Sequence, residues 1–215
     1  MSVPRPVRPE HIYLTHDEVA ALAQSAEDVT GRPDDALLVN VLACTGIRIN
    51  EALALQIKSV DLKSRRLRVV QAWTAGRGGT MVIGSPKSGG PRDVAIPRFL
   101  LPGLELLVAG RGADEYVFTA SRGGPIFDHN WRARVLNPAR AGAEPPETLT
   151  PHKLRHTAAS MAIAAGADVK VVQQMLGHAD ASETLNTYAH LWPNNLDTIA
   201  DALDRARSAS LDGMS

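Results

Sequence analysis

The chain has 215 residues, 44% of them hydrophobic and 21% charged, which suits one large domain or two small ones around a proper core. Its 23 basic and 23 acidic residues cancel, so bulk charge gives no support to nucleic-acid binding and any anion site must be built locally. No apolar run approaches the roughly 20 residues needed to cross a bilayer, the opening MSVPRPVRPEHIYLT holds no apolar signal-peptide core, and Cys44, the only cysteine, excludes an internal disulfide and fits a reducing cytoplasm.

The stretch from Met1 to Pro9 is rich in proline and arginine and reads as a linker or arm, carried here to residue 13. Thr15 followed by Glu18 is a capping box, which predicts a helix through about Ser25. PDDALLVNVLACTG predicts a buried helix stopped by Gly46, and RINEALAL reopens helix at once. Between Asp61 and Pro97 the character changes: RRLRVV, TMVIG and RDVAIP are short strand-type runs separated by glycine-rich turns. Helical patterns then return, broken by EYVF, SRGGP and RAGAEPPETLTP. The expected fold class is α+β, mainly α-helical, with a small antiparallel sheet near the middle.

Thr150 is a good N-cap and Pro151 a good first residue for a helix beginning PHKLRHT. His152, Arg155 and His156 then share one face, while Leu154, Ala158, Met161 and Ala162 fall on a stripe that can be buried. A basic face at a helix N-terminus suits an anion, because free amides and the dipole add to the side-chain charge; the plain alternative is a solvated helix end. Three further stretches stand beside it. CTGIRINEALAL sets Arg48 and Glu51 three apart after a tight glycine turn, a spacing that also describes an ordinary surface ion pair. GSPKSGGPRDVAIP holds Lys87 in a hairpin, where a lysine is commonly just solvated. QQMLGHADASETLNTYAHL offers His178 after a helix-ending Gly177, then Tyr188.

In this order and spacing, from about Leu14 to about Leu203, the chain resembles the catalytic domain of the tyrosine recombinases, the phage-type integrases. The residues that carry the resemblance are Arg48 in TGIRINEAL, Lys87 between strands, His152 and Arg155 in HKLRH, His178 in LGH and Tyr188 in TLNTYAHL. The tail from Pro193 to Asp204 is similar to integrases of actinobacterial phages. The resemblance implies a tyrosine-recombinase fold over 14–215, with a C-terminal helix at about 193–206; the expected departure from it is the N-terminal core-binding domain that family members usually carry, for which these residues leave no room. It also implies cleavage and religation of double-stranded DNA through a 3′-phosphotyrosyl intermediate, with no metal or nucleotide cofactor. Other recombinase protomers would assemble with it on the DNA, away from any membrane; the protein, bacterial or phage-encoded, would act in the cytoplasm on the nucleoid.

The chemistry fits those residue types. Phosphoryl transfer is mostly positioning and charge stabilisation, and Arg48 and Arg155 are forked, permanently charged clamps for the non-bridging oxygens. Tyr188, with a reference pKa of about 10, must lose its proton as it attacks. By the resemblance His152 assists that transfer, Lys87 protonates the leaving 5′-oxygen, His178 donates a hydrogen bond to the phosphate, and Glu51 orients the cluster. His156 is expected to be structural support, and truncating either arginine is expected to leave the fold intact. Rival readings are a metal hydrolase ligated by His152, His156 and His178, and a non-catalytic module built on the helix-turn-helix look of GADVKVVQQMLGH. A phosphate loop is excluded, since no glycine immediately precedes Lys87. Type IB topoisomerases share the chemistry, but the LGH to TYAH block is more similar to integrases. In the tail, Leu196, Ile199, Ala200 and Leu203 form an apolar stripe. It could pack on its own domain or, as the resemblance implies, dock into a neighbouring protomer.

Overall fold

Helix α1 (His16–Thr30) starts where the capping box predicts: Thr15 Oγ1 accepts from the Glu18 amide at 3.2 Å and the Glu18 carboxylate accepts from the Thr15 amide at 2.6 Å. The computed structural model describes residues 13–86, 90–143, 149–192 and 196–212. α1 outruns the expected end at Ser25, because its stop is Gly31 in the left-handed region; Ser25 instead donates from its buried hydroxyl to the Ala139 carbonyl at 2.8 Å. Helix α2 (Pro33–Thr45) opens on proline and closes on Gly46, and it buries Leu38, Val39, Val41 and Leu42 completely.

Gly46 is required twice over. Its φ is +69°, and a Cβ there would stand 2.9 Å from Leu176 Cδ2 and 3.3 Å from Ala158 Cβ. The close approach brings the end of α2 onto two later helices, α7 (Pro151–Ala164) and α8 (Val169–Leu176). The helix expected from RINEALAL is cut to α3 (Ile49–Ala52). Ala52, Leu53, Ala54 and Leu55 are all buried, and four consecutive buried residues mark a chain crossing the core rather than an amphipathic helix with one dry face.

The small sheet is in fact two. Strands β1 (Val60–Asp61), β2 (Arg66–Val69) and β5 (Arg92–Ala95) form one antiparallel sheet with Leu67 opposite Val94. β3 (Ala72–Ala75) and β4 (Met81–Gly84) form a separate hairpin. β3 is drawn away beneath α3: Trp73 Nε1 donates to the Leu53 carbonyl at 3.2 Å and Gln71 Nε2 to that of Ala54 at 2.7 Å. Helices α4 (Leu101–Val108), α5 (Asp128–Trp131) and α6 (Asn137–Ala143) follow, α5 and α6 being joined by a π-helical stretch over Arg132–Leu136. α1, α2, α6 and α7 pack around the main core.

After α8 come α9 (Ala181–Tyr188) and α10 (Leu196–Asp212). A second, smaller core gathers Ala159, Ile163, Val172, Leu176 and Tyr188. The C-terminal helix runs beyond the expected 206, and the residue expected to open it, Pro193, lies outside the described residues. Residues 200–210 are exposed throughout and Leu203 is 66% exposed, so the reading in which this stripe packs on its own domain does not hold at Ala200 and Leu203. Among the described residues, no helix is long and apolar enough to cross a membrane.

Candidate active site

A cleft of about 640 Å³ opens between α3, β3, α5 and the start of α7, and Arg48, His152 and Arg155 line it. α7 delivers two of them. Thr150 caps it, accepting from the Lys153 amide, and Pro151 occupies its first position, as the sequence predicts. Leu154 and Ala158 anchor the helix in the core, which leaves the His152 side facing the cleft.

The Arg48–Glu51 pair is not a surface ion pair. Glu51 is 1% exposed, and its carboxylate accepts from the Arg48 amide at 2.9 Å and from Arg48 Nη1 at 3.1 Å. A second arginine completes the grip: Arg92 of β5 donates from Nη1 and Nη2 to the same carboxylate at 3.0 and 2.6 Å. Arg92 also packs against Gly177, where a Cβ would stand 2.7 Å from Arg92 Cδ. Sequence reasoning missed Arg92 as a site residue. The usable signal was strand parity, since Arg92 shares the inward side of its strand with the buried Val94 and Ile96.

Burial alone would raise the Glu51 carboxyl, but the bond and charge of Arg92, then the amide and charge of Arg48, outweigh it and hold the carboxyl below its ordinary range. A depressed carboxyl contributes stability that is complete above the unfolded value of about 4.3 and is lost as pH falls through the lower folded value. Glu51→Gln is therefore expected to cost about 3–5 kcal/mol at neutral pH by removing the buried charge that two arginines share. It is also expected to flatten this part of the acid dependence of the melting temperature below about pH 4.3. Thermal melts of both proteins from pH 7 to pH 3 check this, and parallel pH curves would refute it.

Arg155 is 2% exposed, yet no carboxylate pairs with it among the described residues. Its Nη1 donates to the Gly46 carbonyl and its Nη2 to the Leu176 carbonyl, both at 2.5 Å. Burial, then the charge of Arg48, pulls its guanidinium down to about 9, which leaves it protonated at neutral pH. Arg48, Arg92 and Arg155 thus act on one another around the single carboxylate of Glu51, a local surplus of positive charge in a neutral chain.

The histidines respond to that surplus. Lost hydration lowers His152, whose ring meets that of His156 edge-on at 4.5 Å, and the charges of Arg155 and Arg48 lower it further. His178, lining a neighbouring depression with Arg92, is lowered to about 4, first by burial and then by Arg155. Its Nδ1 lies 2.9 Å from the Thr184 hydroxyl and its Nε2 3.5 Å from Glu183 Oε1. A neutral ring accepting from Thr184 keeps its proton on Nε2, a fixed donor. Thr184, buried and overlooked in the sequence, is the partner of Nδ1, and the Glu183 carboxylate beside Nε2 favours the proton there. NMR titration of the imidazole is expected to show His178 neutral throughout pH 7 to 5. Its stability contribution is complete above the ordinary 6.5 and is lost as pH falls toward about 4; a midpoint near 6.5 would contradict the arrangement.

Tyr188, at the end of α9, is 1% exposed and does not line the cleft. Its hydroxyl lies 2.6 Å from His156 Nδ1, and burial raises its phenol well above the ordinary value, against the opposing pull of Arg155. Lys87 lies outside the described residues. The three histidines of the metal reading do not converge: among the described residues no three His, Cys, Asp or Glu side chains are grouped to hold a metal ion. α7 and α8 do follow one another as helix, turn, helix, but α7 carries Arg155 and His152 into the cleft.

The phage integrase family model matches residues 13–195, and the chain belongs to that family. It is 32% identical over 194 residues to tyrosine recombinase XerD of Pseudomonas putida, covering 89% of this chain and 61% of the relative. It is 30% identical over 200 residues to tyrosine recombinase XerC of Oceanobacillus iheyensis, covering 91% of this chain and 62% of the relative. The chain thus spans about three fifths of the length of these relatives. The fold is that of the Tn1549 transposon integrase solved in complex with circular intermediate DNA (TM-score 0.75, 20% identity, 95% of this chain and 69% of that one). The XerA recombinase structure is also similar (TM-score 0.63, 26% identity, 94% and 66%).

Proposed function

We propose that residues 14–215 are the catalytic domain of a tyrosine-type site-specific DNA recombinase, preceded by an arm over 1–13. Its substrate is double-stranded DNA, its site of action is the bacterial cytoplasm, and other protomers join it there; the exposed residues 200–210 of α10 support the last point. The observation that carries the reading is Arg155, a buried guanidinium with no carboxylate paired to it among the described residues, beside Arg48 in an open cleft. Such a site suits an anion, and the planar forks of two arginines match the non-bridging oxygens of a phosphodiester.

In this reading Tyr188 attacks the phosphorus and the 5′-oxygen leaves, giving a 3′-phosphotyrosyl enzyme that keeps the strand available for religation. Arg48 and Arg155 stabilise the charge that grows on the phosphorane. His152 assists proton transfer from the cleft wall, His178 donates from Nε2 to the phosphate, Lys87 protonates the leaving oxygen, and Glu51 with Arg92 holds Arg48 in place. The test is covalent capture. The chain is mixed with a pool of randomised duplexes nicked on one strand, and bound DNA is recovered after denaturation. Adducts whose peptide maps to Tyr188 support the reading, and absence of any adduct defeats it.

A further inference from the structure

We propose that His156, which the sequence assigns only to support, is the group that takes the proton of Tyr188; this inference rests on the recombinase reading above. Tyr188 is enclosed by Ala159, Ile163, Val172 and Leu176, and at 1% exposure its hydroxyl is shielded from solvent. Water is then a poor proton acceptor, and the proton must pass to a protein group. Among the described residues the hydrogen-bond partner of that hydroxyl is His156 Nδ1 at 2.6 Å, with the two rings tilted at 60° and their centroids 5.5 Å apart. His152, the family-based choice, makes no hydrogen bond to Tyr188 among the described residues, and reaches it only through the ring of His156, 4.5 Å away. Geometry within hydrogen-bond reach is the first requirement of a general base, and His156 meets it.

The step balances as follows. Neutral His156, with its own proton on Nε2, accepts at Nδ1. The Tyr188 O–H bond breaks as the Nδ1–H bond forms. The phenolate oxygen then bonds to phosphorus while the bond from phosphorus to the 5′-oxygen breaks, and the departing oxygen takes a proton from the general acid, Lys87 in the reading above. Religation runs in reverse, with the imidazolium returning its proton to the departing phenolate. The charged and titratable groups around the pair are His152 and Arg155 on α7, Tyr13, and Glu183 on α9. A phosphate held by Arg155 would place negative charge beside the imidazolium that forms.

The test uses the full chain and the nicked duplex enriched by covalent capture, rebuilt with a 5′-bridging phosphorothiolate at the cleaved step. A thiolate leaves without a general acid, so the rate reports the nucleophile side alone. Single-turnover cleavage by His156→Asn and His156→Ala is expected to fall about 100-fold or more. Asn can still accept the hydrogen bond but cannot take the proton. Added imidazole is expected to restore part of the activity of the alanine variant, in proportion to its unprotonated fraction. Melting temperature and retention of the duplex serve as folding controls, and if the alanine variant does not fold, the asparagine variant decides. An asparagine variant within about threefold of the parent would overturn the inference, since bonding alone would then suffice. A faster alanine variant would also overturn it, because His156 would then be restraining Tyr188. Tyr188→Phe runs alongside: cleavage by that protein, or failure to capture any duplex, would sink the recombinase reading itself.

Discussion

Replacing Tyr188 by phenylalanine is expected to remove the covalent protein–DNA adduct entirely while moving the melting temperature by only a few degrees. The two effects separate because the ring and the hydroxyl do different jobs. The ring fills the small core with Ile163, Val172 and Leu176, and phenylalanine fills the same space. The hydroxyl contributes one hydrogen bond, to His156, and its loss costs about 1 kcal/mol, partly offset by no longer burying an O–H. Denaturing gels after incubation with a nicked duplex, together with thermal melts, make the comparison. Tyr13 is the nearby competitor, its hydroxyl 3.2 Å from His190 Nε2. An adduct that survives in the phenylalanine protein and maps to Tyr13 would transfer the nucleophile there.

Arg155→Ala is expected to damage both chemistry and fold, which revises the expectation that truncating this arginine leaves the structure intact. Removing a preorganised donor to a developing oxyanion costs about 100- to 1000-fold in rate. The fold suffers separately, because the carbonyls of Gly46 and Leu176 lose their common donor while remaining buried. Each stranded acceptor costs about 1–3 kcal/mol. Arg155→Lys separates the two effects: it keeps the charge but cannot fork to both carbonyls, so it should recover part of the rate and little of the stability. Urea melts and single-turnover cleavage read the two quantities. Near-parent cleavage by the alanine variant at matched DNA occupancy would refute the assignment of the clamp.

What could be read from the sequence was whatever is written in local chemistry. The capping box at Thr15 and Glu18, the glycine stops at Gly46 and Gly177, and the Thr150–Pro151 start of α7 depend on neighbouring residues and lie where expected. The failures share a cause: each depends on residues far apart in the chain. Trp73 and Gln71 reach back to the carbonyls of Leu53 and Ala54, so β3 forms its own hairpin instead of joining one sheet. Glu51 looked like half of a surface pair until Arg92, forty-one positions on, closed over it. His156 reads as support because one helix face cannot aim three side chains at one atom; the small core shared by α7, α8 and α9 brings the Tyr188 hydroxyl to its Nδ1.

The double grip of Arg155 has an electrostatic meaning as well. Gly46 caps the C-terminus of α2, and Leu176 is the last residue of α8, so two helices converge on one guanidinium by their negative ends. Each terminus is equivalent to roughly half an elementary charge of negative sign. Together they hold a buried cation by fixed backbone dipoles, with the charge of Glu51 acting on it as well. In the recombinase reading, an incoming phosphodiester therefore meets no carboxylate paired with Arg155 among the described residues. Since these dipoles are part of the backbone and shielded from solvent, added salt should weaken the approach of DNA far more than it disturbs the cradle that receives it.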